Sequence, residues 1–110
     1  MSETAAATRV CALADLLVDQ PHRVVLGGRP VCLVRTGDHE VHAIDDTCTH
    51  ADVSLAEGEV EGLTIECWLH GSRFDLVTGE PTGLPANRPV AVHNVTIDDS
   101  GDVLVAVKEQ

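Results

Sequence analysis

The sequence predicts an all-β protein: one small antiparallel β domain interrupted by a loop-rich insertion. Three observations carry that expectation. Apolar residues near both ends recur with period two, the spacing of a half-buried strand. No segment keeps a helical apolar period beyond about a turn. Gly, Pro, Asp and Ser dipeptides break the chain at intervals that suit short hairpins. The length of 110 residues suits one domain with its own core, so residues 1–110 are read as a single unit.

The elements follow in order. RVCAL (9–13) alternates and reads as a first strand. ADLLVDQ (14–20) is long enough for one helical turn before Pro21. HRVVL (22–26) ends at the turn signal Gly27-Gly28, and RPVCLVRT (29–36) follows it as a strand. Gly37-Asp38 turns the chain into EVHAID (40–45), completing a meander. Period then fails over a polar stretch, within which LTIEC (63–67) alternates, with Leu63, Ile65 and Cys67 expected on one face. VAVHNVTID (90–98) and DVLVAV (102–107), joined by Asp99-Ser100-Gly101, read as a closing hairpin. Cys11 and Cys32, inside alternating apolar runs, read as buried thiols.

Charge narrows the function. Asp and Glu number 18 against 7 Lys and Arg, a formal net charge of −11. Such a chain has no electrostatic affinity for nucleic acid or an anionic membrane. It suits a basic protein partner, because complementary charge speeds encounter. No apolar run approaches the ~20 residues of a membrane span. The start, MSETAAATRV, lacks the basic and apolar regions of a secretory signal. A cytoplasmic, soluble protein without disulfides is expected, with a monomer as the default state.

The insertion, at roughly 46–86, holds few large apolar residues, so a metal is expected to organise it. Two Cys–His pairs stand in it: Cys48-x-His50 and Cys67-x-x-His70, with sixteen residues between His50 and Cys67. Pooled, they make two sulfur and two imidazole ligands. That set fits tetrahedral zinc, and it equally fits a [2Fe–2S] cluster with two Cys on one iron and two His on the other.

The residues after His70 favour iron and sulfur. CTH, then CWLHGSRFD and a following TG, resembles the Rieske iron–sulfur family over the central forty residues. The resemblance implies that family's fold, a small antiparallel β domain with a cluster-binding subdomain at 46–86. It implies one [2Fe–2S] cluster, with Cys48 and Cys67 as thiolate ligands of one iron and His50 and His70 as imidazole ligands of the other. Trp68 and Phe74, the chain's single Trp and single Phe, would cover the cluster, with Leu69 helping to shield it. GLPAN (83–87) resembles the family's proline-containing third loop, its backbone fixed by Pro85.

Departures from the pattern narrow the type. Members in respiratory and photosynthetic complexes link their two ligand loops by a disulfide, where this chain has Val53 and Leu69. Ser72 matches a Ser that hydrogen-bonds the cluster there, and Phe74 stands where a Tyr would add a second hydroxyl. The resemblance therefore points to a soluble Rieske-type ferredoxin. It is not expected to be an enzyme. His39 and His42, with His22 and His93, read as surface or edge residues, and the chain is too short to add a mononuclear oxygen-activating iron site. The implied role is one-electron transfer from a flavin reductase to a terminal non-haem iron oxygenase, in ring-hydroxylating or related systems. Three alternatives remain at this point: the electron-transfer small subunit of an assimilatory nitrite reductase, a ferredoxin serving iron–sulfur assembly, and a zinc-binding module.

Overall fold

The structure, a computed structural model, describes residues 7–48, 53–69, 71–82 and 88–107. It is all-β, as expected. The strands are β1 (Thr8–Ala12), β2 (Pro21–Leu26), β3 (Arg29–Gly37), β4 (Glu40–Asp45), β5 (Glu59–Glu61), β6 (Thr64–Glu66), β7 (Arg73–Asp75), β8 (Val92–Ile97) and β9 (Asp102–Ala106). Single 3₁₀ turns occupy Leu13–Asp15 and Leu55–Glu57. Each strand read from the alternating pattern is present. β5 and β7 were not anticipated, because three residues are too few to show a period.

Six strands form one antiparallel sheet in the order β1-β9-β8-β4-β3-β2, and β5-β6-β7 form a second. The β2–β3 hairpin turns on Gly27 and Gly28, with φ of 60° and 83°. Two consecutive left-handed residues suit the right-handed twist of a hairpin, and glycine adopts them without steric cost. Gly58 is fixed for a different reason. A Cβ there would lie 1.7 Å from the Glu66 carbonyl oxygen, so the backbone of the second 3₁₀ turn can approach β6 only without a side chain.

β3 is the wall between two cores. Its residues Val31, Cys32, Leu33 and Val34 are all fully buried, which explains why its apolar run is continuous where an outer strand would alternate. Val31 and Leu33 pack on one side with Leu16, Val41, Val103 and Val105. Cys32 and Val34 pack on the other with Ile44, Leu55, Ile65, Phe74 and Leu76. The insertion does not pack alone: its few large apolar residues, Leu55, Ile65, Phe74 and Leu76, pack against a wall that β3 and β4 supply. Leu63 is corrected: it is 47% exposed, at the turn before β6 rather than on the buried face with Ile65 and Cys67.

His93 departs furthest from its expected surface position, since its side chain is fully buried. β8 places it opposite Ala43 of β4, and its Nε2 lies 2.9 Å from Asp45 Oδ1. Arg29 donates to the same carboxylate through Nε at 2.9 Å and Nη2 at 3.0 Å. Burial acts to raise the Asp45 carboxyl, but the hydrogen bonds from His93 and Arg29 and their charges outweigh it and hold the group below the usual carboxylate range. A lowered folded-state value stabilises the fold above the unfolded value of about 4, and this contribution is lost as pH falls through the folded value. Between about pH 5 and pH 2, the gap in melting temperature between the parent and Asp45→Asn should therefore shrink. A gap that stays constant over that acid range would show that the carboxylate adds no acid-sensitive stability.

Candidate metal centre

The first half of the centre leaves the end of β4. Asp46, 1% exposed, follows directly and receives three donors: Arg23 Nε at 3.1 Å, Ser54 Oγ at 2.5 Å and the Ala56 amide at 2.9 Å. The Asp46 carbonyl accepts from the Leu55 amide at 2.6 Å, and the Cys48 amide donates to the Val53 carbonyl at 3.0 Å. Thr47 and Ser54 are bridged as antiparallel partners. These contacts tie residues 46–48 to 53–56 at the base of the first loop. Ser54-Leu55-Ala56-Glu57 has the spacing of a helix-capping motif, but the Ser54 hydroxyl makes no cap and goes to Asp46 instead.

The second half leaves the end of β6. Cys67 is fully buried, its amide donates to the Ser72 carbonyl at 2.6 Å, and its carbonyl accepts from the Gly71 amide at 2.9 Å. The loop then returns through Ser72, 1% exposed, into β7, where Phe74 is fully buried opposite Ile65. Arg73 Nη2 reaches Glu61 at 3.1 Å and Glu66 at 3.5 Å across the small sheet.

Both thiols thus arrive in the same buried apolar cluster, Cys48 3% exposed and Cys67 not at all, and neither is in a disulfide. Of the other expected site residues, His50, His70 and Pro85 lie outside the described residues. Among the described residues no three metal-ligating side chains are gathered. Among the described residues Phe74 is the largest fully buried side chain, whereas Trp68 and Leu69 stand 50% and 40% exposed at the tip beyond Cys67. Trp68 is therefore not a core ring. It borders an open cleft of about 320 Å³ shared with Glu57, Glu59 and Glu66. Val53 packs, partly buried, against the thiol cluster.

Sequence reasoning missed Asp46 and its partners Arg23 and Ser54. An acidic residue between a strand and a polar loop reads as solvated. The signal that could have found it is its place two residues before Cys48.

Two buried thiols, neither in a disulfide, are carried on loops from two antiparallel sheets into one apolar cluster of a small all-β protein, a setting that would suit a sulfur-ligated metal centre. The Rieske [2Fe-2S] domain matches residues 6–104, and the chain belongs to that family. It is 39% identical over 99 residues to the ferredoxin CarAc of Metapseudomonas resinovorans, covering 89% of this chain and 91% of the relative. The solved ferredoxin of carbazole 1,9a-dioxygenase from Nocardioides aromaticivorans superposes with a TM-score of 0.89 at 40% identity, covering 94% of this chain and all of that one. A chain in the solved complex of reduced oxygenase and oxidised ferredoxin in carbazole 1,9a-dioxygenase gives a TM-score of 0.86 at 37% identity, covering 94% and 95%. The centre is accordingly a [2Fe–2S] cluster rather than zinc, and the protein is an electron carrier rather than a catalyst. The two buried thiols suit it, since each can bind iron as a thiolate without first breaking a disulfide.

Proposed function

We propose that Cys48 and Cys67 bind one iron of the cluster through their thiolates, that His50 and His70 bind the other through imidazole nitrogens, and that the chain passes single electrons from a flavin-dependent reductase to a terminal non-haem iron oxygenase. The observation that carries this reading is the meeting of two unlinked thiols in one buried apolar cluster. The cluster-binding subdomain of this reading spans about residues 46 to 86, around β5, β6 and β7.

The bound cluster supplies a site for one electron, neutral when oxidised with two thiolates and two imidazoles, and −1 when reduced. The chain's own residues exclude water and present an edge. Phe74, Ser72 and Val53 close the buried side. Trp68 and Leu69, adjoining His70 in sequence, form the exposed tip that a partner covers. The carboxylates of Glu57, Glu59 and Glu66 beside Trp68, on a chain of net charge −11, steer a basic partner surface, so electron transfer slows with added salt. The relative solved in complex with its oxygenase supports that partner class. Among the described residues no helix is long and apolar enough to cross a membrane. The working form of this reading is a cytoplasmic monomer.

The test is the visible and electron spin resonance spectrum before and after dithionite, on the parent and on His50→Cys and His70→Cys. The parent should show the reduced Rieske signal, and each variant should lose or change it. An unchanged signal in either variant would overturn the ligand assignment, and a colourless parent holding one zinc would overturn the carrier reading.

A further inference from the structure

We propose that the Asp46–Arg23 ion pair positions the first ligand loop and, through its two fixed charges, sets how readily the cluster takes its electron. The inference rests on Cys48 being a ligand, as proposed above.

Three features of the structure converge on this pair. Asp46 lies two residues before Cys48, its side chain 2% exposed, and its carboxylate joins the end of β4 to two other parts of the chain: β2 through Arg23 Nε, and the turn after the loop through Ser54 Oγ and the Ala56 amide. The turn that it holds packs through Leu55 and Ala56 in the same apolar cluster as Cys48 and Cys67, so the carboxylate is tied to the thiol side of β3. Arg23 reaches it from the surface, its own side chain 51% exposed. A negative charge shielded from water opposes the arrival of an electron nearby, and a positive charge favours it. The buried carboxylate acts with little screening, while solvent weakens the half-exposed guanidinium. The pair therefore holds the loop while partly cancelling the charge that the anchor brings.

The test is the reduction potential of the cluster-loaded protein, with iron content and the spin resonance spectrum as checks that the cluster is intact. Asp46→Asn should raise the potential and Arg23→Gln should lower it. For Asp46→Asn the ratio of reduced to oxidised cluster at a fixed ambient potential should change at least threefold, about 28 mV at roughly 59 mV per tenfold. For Arg23→Gln the change should be smaller. Arg23→Lys, which keeps the charge, should stay close to the parent. A purely structural role would lower cluster content in both variants without moving their potentials in opposite directions. Potentials that stay put, or move the same way, with the cluster intact overturn the inference. If Asp46→Asn does not fold, Arg23→Gln and Arg23→Lys decide alone. Cys48→Ser, measured alongside, separates the two ideas. Cluster retained there sinks the ligand assignment and this inference with it. Cluster lost there, with Arg23→Gln unmoved, sinks only this inference.

Discussion

Cys67→Ser is expected to purify without colour and with at most residual iron. Cys67 is fully buried where β6 ends, and its backbone amide and carbonyl are both held by the loop that follows, at Ser72 and Gly71. The position is thus fixed on both sides before any metal binds. A serine would keep that backbone and fill nearly the same volume, but a hydroxyl does not ionise at neutral pH as a thiol beside iron does. The control is Cys32→Ser. Cys32 shares the apolar cluster but sits in the middle of β3, where burial first and the Asp46 charge second push its thiol far up, so it stays protonated. That variant should keep its cluster. Iron analysis and the visible spectrum of both proteins make the comparison, and a coloured Cys67→Ser protein of parental iron content would remove Cys67 from the centre.

Phe74→Ala should cost about 3–5 kcal/mol of stability, as large-to-small changes in a filled core do. The ring is the largest fully buried side chain among the described residues. It lies opposite Ile65 in the small sheet, bridges to Pro81, and packs in the core shared with Cys32, Val34 and Ile44. Removing it opens a void between the insertion and the main sheet. Domains of this size have only about 5–15 kcal/mol in total, so the variant should unfold at a much lower urea concentration and release its cluster early. A loss below about 1 kcal/mol would mean that other contacts join the insertion to the sheet.

Most of the main sheet was legible because its strands are long enough to show period two and its turns carry Gly and Asp. The centre was legible from chemistry rather than period: Cys48 and Cys67, with the residues after His70, pointed to the family before any geometry did. What could not be read is the set of contacts that depend on pairing across long sequence distances. His93 looked like a surface residue because its partner, Asp45, is 48 positions away. Asp46 went unread because Arg23, Ser54 and Ala56 meet it only after folding. The insertion looked too poor in apolar residues because part of its core, Cys32, Val34 and Ile44, belongs to β3 and β4. In each case a local pattern reported one face of a residue, and the opposite face was decided elsewhere in the chain.

The double burial of β3 also bears on how the molecule comes apart. Its residues 31–34 belong alternately to both cores, so neither core can open without stripping a wall from the other. Loosening the cluster side disturbs Cys32 and Val34, and through the same four peptide units it disturbs Val31 and Leu33. The domain should behave as a single cooperative unit, with the amides of 31–34 exchanging their hydrogens only when the whole chain unfolds. Holding the cluster then stabilises even the distant hairpin of β8 and β9, and a cell that runs short of iron would present this protein to its proteases as one labile body rather than as a stable scaffold with an empty pocket.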